Sequence, residues 1–378
     1  MRGLRTAILA VLIIVTGSTT VLCDTGEVGP AMLKMTFGSR ALALGGSFVG
    51  VADDVYYMDA NPGAGEAAKV FKLSLLHQEW IEDVNYEAIR ISRGLGKRLY
   101  WGLGFTYMYL PFTYYDYYGS SVGDSVRISQ ALGTLNMGYS FKKIRLSIGG
   151  NLKVLYNSVP TDMLEARYGT DYTDQNYLVF AGDFGLFGRT DFLKTYIGPE
   201  PSFMYGLVVK NVGYSDAIET LPTEIQAGFS YRLFWHLLLT GQVNVPLYEP
   251  LYGAAGLEFD IRKKIFFQAG IRISENPMLG IGFGYRFGDI ELHASYTPRI
   301  ELPNMFSVAL NFYFGETKAR RRDEQITSLL IEALKQFKDA HYDEALQSTN
   351  GVLGLDPSNR IALSLKETIE NIDKINGK

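Results

Sequence analysis

The sequence predicts an all-β transmembrane barrel of about fourteen antiparallel strands, followed by a small all-α C-terminal domain. Three observations lead there. Apolar and polar residues alternate with period two across residues 71–314. Aromatics are almost confined to that stretch: of 25 Tyr, 22 Phe and 3 Trp, only Phe337 and Tyr342 follow Glu316. After residue 23, no window approaches the run of about 20 apolar residues that a transmembrane helix needs. Alternating strands produce a membrane chain of ordinary hydropathy, because every second side chain faces away from lipid. A soluble sandwich of short strands would give similar averages, so composition alone does not decide.

The chain has 378 residues and a formal net charge of −4, which gives no sign of a nucleic-acid partner. Residues 1–23 read as an export signal. Arg2 and Arg5 are basic, and Ala7 to Val15 form an apolar core too short to span a bilayer. Cleavage is expected after Val21-Leu22-Cys23. The alternative makes Cys23 a lipidated N-terminus, against which Leu22 stands where such sites want a small residue. Removal of the one cysteine leaves no thiol chemistry.

Residues 24–70 are rich in Gly and Ala and lack alternation. From 71 to 315 the reading is barrel, with strands near 71–78, 85–93, 99–110, 131–141, 143–156, 176–188, 203–211, 222–233, 235–246, 251–261, 264–273, 278–287, 289–296 and 305–314. The closing strand is the clearest. Phe306, Val308, Leu310, Phe312 and Phe314 share one face, and Ser307, Ala309, Asn311 and Tyr313 the other, which demands unlike surroundings on its two sides. Leu279, Ile281, Phe283, Tyr285 and Phe287 oppose Gly280, Gly282, Gly284 and Arg286 in the same way. An even strand number predicts both termini on the periplasmic side. Tight turns are expected at 141–144 and 231–235, and long connections at 111–130 and 157–175. Trp101, Tyr107 and Tyr109 stand at strand ends, where an aromatic girdle would lie. Tyr109, Phe112, Tyr114, Tyr115, Tyr117 and Tyr118 form a candidate extracellular capture loop, although Tyr-rich loops also occur without any ligand.

The densest motif is Gly38-Ser39-Arg40-Ala41-Leu42-Ala43-Leu44-Gly45-Gly46, then Ala52-Asp53-Asp54, then Asn61-Pro62-Gly63. It resembles the start of FadL-type outer-membrane proteins, in particular the PorV/PorQ-like branch and a related treponemal FadL-like group. There a Gly-Arg-Ala-Gly-Gly stretch precedes Ala-Asp-Asp and Asn-Pro-Ala. Gly63 replaces the usual Ala, and Met58-Asp59-Ala60 stand where an aromatic is common. The resemblance implies that residues 24–70 form a hatch inside the barrel, with Gly38, Arg40, Gly45, Gly46, Asp53, Asp54, Asn61 and Pro62 as its structural and gating residues. Arg40, Asp53 and Asp54 are charges that lumen-facing Arg232, Glu258, Arg272 or Arg286 could satisfy. The plain reading of the two aspartates is anchoring by hydrogen bonds; a cation site would need more oxygen ligands than the sequence names.

Residues 316–323 read as a polar linker and 324–378 as a periplasmic helical domain. Ile326, Leu329, Leu330, Ala333, Leu334 and Phe337 fall at helical spacing, as do Tyr342, Ala345, Leu346, Val352 and Leu353, and then Ile361, Leu365, Ile369 and Ile372. The middle of this tail resembles one tetratricopeptide repeat, with Tyr342 and Ala345 in place, Ala340 where Gly is usual, and Pro357 closing a helix. A lone repeat buries little and needs a neighbour, such as the barrel or a periplasmic protein.

Four histidines, no nucleophile elbow, no phosphate loop and no metal-ligand spacing leave no enzyme, metal or cofactor to expect. The resemblance implies uptake of a hydrophobic ligand such as a long-chain fatty acid through a hatch-gated barrel set in outer-membrane lipid. The alternatives are a PorV-like shuttle or receptor for secreted proteins, and a surface adhesin. The adhesin needs no apolar lumen cavity.

Overall fold

The computed structural model describes residues 29–375, apart from 52, 68–69, 81–83, 97, 113–117, 119, 121–125, 159–175, 197–199, 217–219, 299–303, 315 and 358. The export signal lies outside the described residues.

Fourteen strands close into one antiparallel barrel. They are β1 (Phe71–Glu79), β2 (Asn85–Leu95), β3 (Leu99–Phe112), β4 (Val126–Phe141), β5 (Leu146–Ser158), β6 (Tyr177–Thr190) and β7 (Phe203–Ser215). There follow β8 (Glu224–Phe234), β9 (Leu237–Pro246), β10 (Tyr252–Ile261), β11 (Ile265–Ile273), β12 (Met278–Phe287), β13 (Ile290–Thr297) and β14 (Met305–Phe314). Each pairs with its sequence neighbours, and β14 closes on β1 with Phe71 opposite Phe314 and Glu79 opposite Phe306. Closure leaves no unpaired edge, the condition for a sheet to cross hydrocarbon.

The two faces match the alternation. In β12, Leu279, Ile281, Phe283, Tyr285 and Phe287 are all exposed, while Gly280, Gly282 and Gly284 are covered. In β14 the residues Ser307, Ala309, Asn311 and Tyr313 are buried, and Phe306 and Phe314 are exposed. An outer surface this rich in exposed Leu, Ile, Phe and Tyr has no stable contact with water, so hydrocarbon is its solvent and the barrel spans a membrane.

The rims differ. Strand register puts the turns at 96–98, 142–145, 235–236, 262–264 and 288–289, together with the longer connection 191–202, on the rim where β14 ends. The connections 113–125, 159–176 and 216–223 lie on the other. Trp101 is at the short-turn rim, and Tyr107 stacks on Tyr109, centroids 5.9 Å apart, at the long-loop rim.

Several expectations need correction. β3 continues to Phe112 and β4 begins at Val126, because Pro111 and Phe112 find partners in Arg127 and Val126. The turn after β4 is longer than expected, and β5 starts at Leu146. The turn after β8 is only Trp235-His236. The expected linker 316–323 is helical: α3 (Glu316–Lys338) begins two residues after β14. Nothing from 316 to 338 breaks a helix, since Gly and Pro are absent and Lys, Arg, Glu, Gln, Ala and Leu dominate. The first described residue, Gly29, donates its N–H to Thr220 O at 2.8 Å, on the rim opposite the C-terminal helices. Even strand number sets the two ends of the sheet on one side; the chain before β1 has its own path through the lumen.

α3, α4 (Tyr342–Leu355) and α5 (Arg360–Ile375), numbered after two short helices inside the barrel, form the tail. Ala333, Ala345, Leu365 and Ile369 make one small core, and Ile326, Leu330, Val352 and Ala362 another. Ile361 is not in either. It is 47% exposed, and Ala362 takes the buried place.

Candidate functional site

Residues 29–67 fill the lumen. The segment starts beneath the long-loop rim with a 3-10 turn, Ala31–Lys34, and descends through α1 (Ser39–Ala43) and α2 (Tyr57–Ala60). A second 3-10 turn, Pro62–Ala67, leads to β1 at the short-turn rim. It touches the wall all round. Ser39 Oγ lies 2.8 Å from Ser307 Oγ on β14. Gln242 Oε1 on β9 accepts the N–H groups of Phe48 and Val49, both at 2.9 Å. Ser230 on β8 donates to Gly50 O at 2.7 Å. Asn61 Nδ2 donates to Leu186 O on β6 at 3.0 Å and to Val49 O at 3.1 Å.

Inward-facing glycines let the two backbones meet. Gly45 has φ +68, and a Cβ there would lie 2.7 Å from the backbone of Ile271. Only a residue without a side chain tolerates both that angle and that approach. Gly38 caps α1 against the ring of Tyr56, and Gly46 rests on the guanidinium of Arg272. Pro62 O accepts the Tyr100 hydroxyl at 2.9 Å.

Arg40 is the hub. It is 7% exposed, and its Nε and Nη2 donate to Glu258 at 2.6 and 2.7 Å. Nη1 pairs with Asp53, and Asp54 Oδ2 lies 3.7 Å away. A buried cation among carboxylates is held by charge-assisted hydrogen bonds in a low-dielectric setting, where losing one partner is costly. Asp54 is also tied locally, accepting the Tyr56 N–H at 2.8 Å. Of the four wall residues expected to meet these charges, Glu258 makes an ion pair with Arg40. Arg232 pairs with Asp260 at 3.2 Å, Arg272 donates to Thr36 at 2.8 Å, and Arg286 pairs with Glu291. Among the described residues, no group of three His, Cys, Asp or Glu side chains is arranged to hold a metal.

A second ion pair was not foreseen. Arg90 on β2 is fully buried and donates Nε and Nη2 to the two oxygens of Asp59, each at 2.9 Å. The signal was present: Arg90 lies on the inward face with Tyr86, Ala88 and Ser92, and a cation there requires a carboxylate. A polar relay also ties α2 to the wall. Tyr57 donates to Asn136 at 3.0 Å, Asn136 to Asn151 at 2.8 Å, and Asn151 to Asp183 at 2.7 Å.

Beneath the long-loop rim the wall on the β1–β6 side carries an apolar patch, with Gln78, Gln130 and Asn157 buried nearer the rim. Leu76, Tyr86, Met108, Leu132, Leu155 and Val179 face inward there, and Met32, Leu33 and Phe37 of the inner segment join the same cluster. On the β7–β11 side a cavity of about 30 Å³ is lined by Lys210, Glu224, Gln226, Asn244, Tyr252 and Arg272. It has room for a water molecule, against the hundreds of Å³ of a ligand pocket.

The expected capture loop lies partly outside the described residues. Tyr109 belongs to β3 and Tyr118 is 88% exposed. Phe112 ends β3, while Tyr114, Tyr115 and Tyr117 lie outside the described residues. In the tail, Ala345 is fully buried, Tyr342 packs edge-on against Phe337 at 5.7 Å, and Pro357 follows the end of α4.

Fold and site together define an outer-membrane-type β-barrel whose lumen is occupied by its own N-terminal segment. The chain belongs to the uncharacterised protein family UPF0164, whose model matches residues 19–316. A UPF0164 protein of Treponema pallidum is 23% identical over 346 residues, covering 84% of this chain and 70% of that one. A second from the same organism is 25% identical, covering 65% of this chain and 53% of its own length. Among solved structures, the Pseudomonas putida toluene transporter TodX covers 73% of this chain and 96% of its own, with 11% identity and a TM-score of 0.48. A Pseudomonas aeruginosa FadL homologue covers 77% of this chain and all of its own, with 10% identity and a TM-score of 0.47. Likeness at that level says nothing about what this barrel passes.

Proposed function

We propose that the protein carries hydrophobic small molecules, long-chain fatty acids among them, across the outer membrane, with residues 29–67 as a hatch that must shift for each passage. The observation that carries this reading is the apolar inward patch of the wall beneath the long loops, where Tyr86, Met108, Leu132, Leu155 and Val179 hold Met32, Leu33 and Phe37. A water-filled pore keeps a polar lumen. An apolar solute instead needs apolar lining, and displacement of Met32, Leu33 and Phe37 would create it. The Gly38-Ser39-Arg40-Ala41, Ala52-Asp53-Asp54 and Asn61-Pro62 residues that resemble the FadL-type hatch support the same reading. Passage is a matter of binding and release; no catalytic step is involved.

In this account the tail, by its likeness to a tetratricopeptide repeat, lies in the periplasm and offers a protein partner the surface that a lone repeat leaves open. The test is uptake into proteoliposomes. Labelled oleate and a neutral aromatic solute should enter vesicles bearing the protein faster than empty vesicles, and a hydrophilic sugar should not. Equal entry in protein-bearing and empty vesicles sinks the proposal.

The docking of residues 29–67 against the wall on β6, β8, β9 and β14 favours a second reading, a non-transporting barrel that serves as a shuttle, receptor or adhesin, since none of these needs the segment to move. Recovery of a secreted protein bound to the exposed loops, with no solute uptake, would establish it.

A further inference from the structure

The charges of the two rims are unlike. At the short-turn rim, cations follow directly on the last lipid-facing residues. Lys142 and Lys143 come after Phe141 and before the exposed Ile144, and Arg262, Lys263 and Lys264 lie between Ile261 and Ile265. Arg98 and Arg145 stand in turns of the same rim, where Arg98 donates to Tyr139 at 2.8 Å and Arg145 pairs with Asp191 at 2.7 Å. Lys263 pairs with Glu200. Lys142, Lys143, Arg262 and Lys264 are exposed, and their side chains have no hydrogen bond or ion pair among the described residues. At the other rim, the described charges that face outward or stand in its connections are acidic: Glu79, Glu87, Asp216, Glu249 and Glu275.

A second observation concerns the backbone. Arg262 and Lys263 both have φ +53, and Arg145 has φ +52. The β-turn 261–264, closed by the Lys264 N–H donating to Ile261 O at 3.0 Å, has positive φ at both central positions, where Asn and Gly are favoured because the Cβ of other residues crowds the following carbonyl. The β10–β11 turn carries Arg-Lys instead. A local rule broken at a surface turn points to a use for the side chain that replaced the favoured one.

We propose that the short-turn rim binds the phosphate headgroups of anionic phospholipids in the leaflet it enters, through Lys142, Lys143, Arg262 and Lys264. The neighbouring Phe141, Ile144, Ile261 and Phe287 sit in the acyl region, so the cations fall at headgroup level, where basic side chains and aromatics anchor a membrane protein. Each cation near an anionic surface strengthens binding by about fivefold, and salt screens the effect. The collar fixes the depth of the barrel and distinguishes its two ends. It depends on the barrel's place in a membrane and not on what passes through it, so failure of the uptake reading leaves it standing.

The full chain is reconstituted in phosphatidylcholine bilayers holding a minor share of phosphatidylglycerol, and the lipids that stay bound after mild detergent extraction are quantified. Phosphatidylglycerol should be enriched about tenfold or more over its bulk share, and high salt should abolish the enrichment. The variant K142Q/K143Q/R262N/K264Q should retain lipid at the bulk ratio, while its barrel, relieved of strain by R262N, keeps the gel mobility of the folded form. No enrichment in the wild-type protein, or enrichment indifferent to salt, overturns the proposal without recourse to any variant. So does full enrichment in a folded variant. Competition by millimolar inorganic phosphate against the lipid would assign the cations to a free anion instead and equally overturn it.

Discussion

Arg40 joins three carboxylates from two parts of the chain, Asp53 and Asp54 of the inner segment and Glu258 of the wall. Replacing it with methionine leaves Glu258 and Asp54 buried without their cation, a loss of about 3–5 kcal/mol for a buried pair. The expected consequence is release of the segment: Arg40→Met protein in planar bilayers should show discrete openings where the wild-type protein is silent. Silence in both would mean that the other contacts suffice to hold it. The motif made Arg40, Asp53 and Asp54 visible as a group, and alternation in β10 put Glu258 on the facing wall. The sequence could not say which of four wall residues would be used, because that depends on the path of the segment between strands distant in sequence. The family pattern gives Asp59 no role; only the inward Arg90 on β2 calls for it. In the tail, Ala340 has φ +64 between α3 and α4. That angle favours glycine, and Ala340→Gly should stabilise the helical domain by about 1 kcal/mol in thermal unfolding of the full chain.

At the scale of elements, the strands were the most legible part, since each carries its two environments in its own sequence. β12 needs no neighbour to show that Ile281 and Phe283 face one medium and Gly280 and Gly282 another. Ile281 is 50% exposed on the outer face, near the middle of β12. Ile281→Arg should therefore destabilise the folded barrel by about 2–4 kcal/mol in vesicles, as measured by denaturant unfolding. A negligible change would place that face in water and refute a membrane setting for it. Strand ends were less legible than strand centres. Pro111 and Phe112 look like loop residues alone, and become strand only because Arg127 and Val126 pair with them. The inner segment had no periodicity to read. Its contacts are made by glycines and backbone, as at Gly45, so a Gly45→Val chain is expected to insert with the segment undocked and open to protease. Resistance equal to the wild-type protein would show that docking does not depend on this approach.

For the molecule as a whole, the described chain crosses the lumen before it enters the wall, from Gly29 under the long loops to β1 at the short-turn rim. Strand parity could not reveal that path, which is set by pairings such as Gly29 with Thr220 across the fold. A lumen so filled passes nothing large while the segment stays docked, and the uptake account requires it to move. Ser39 and Ser307 offer a direct test, because their hydroxyls lie 2.8 Å apart across the boundary between segment and wall. The sequence's one cysteine, Cys23, lies in the expected export signal, so the variant Ser39→Cys/Ser307→Cys can be locked by oxidation and freed by reduction. Uptake of labelled oleate by proteoliposomes should stop in the oxidised protein and return after reduction. Uptake at the same rate in both states would show that the segment does not gate the barrel.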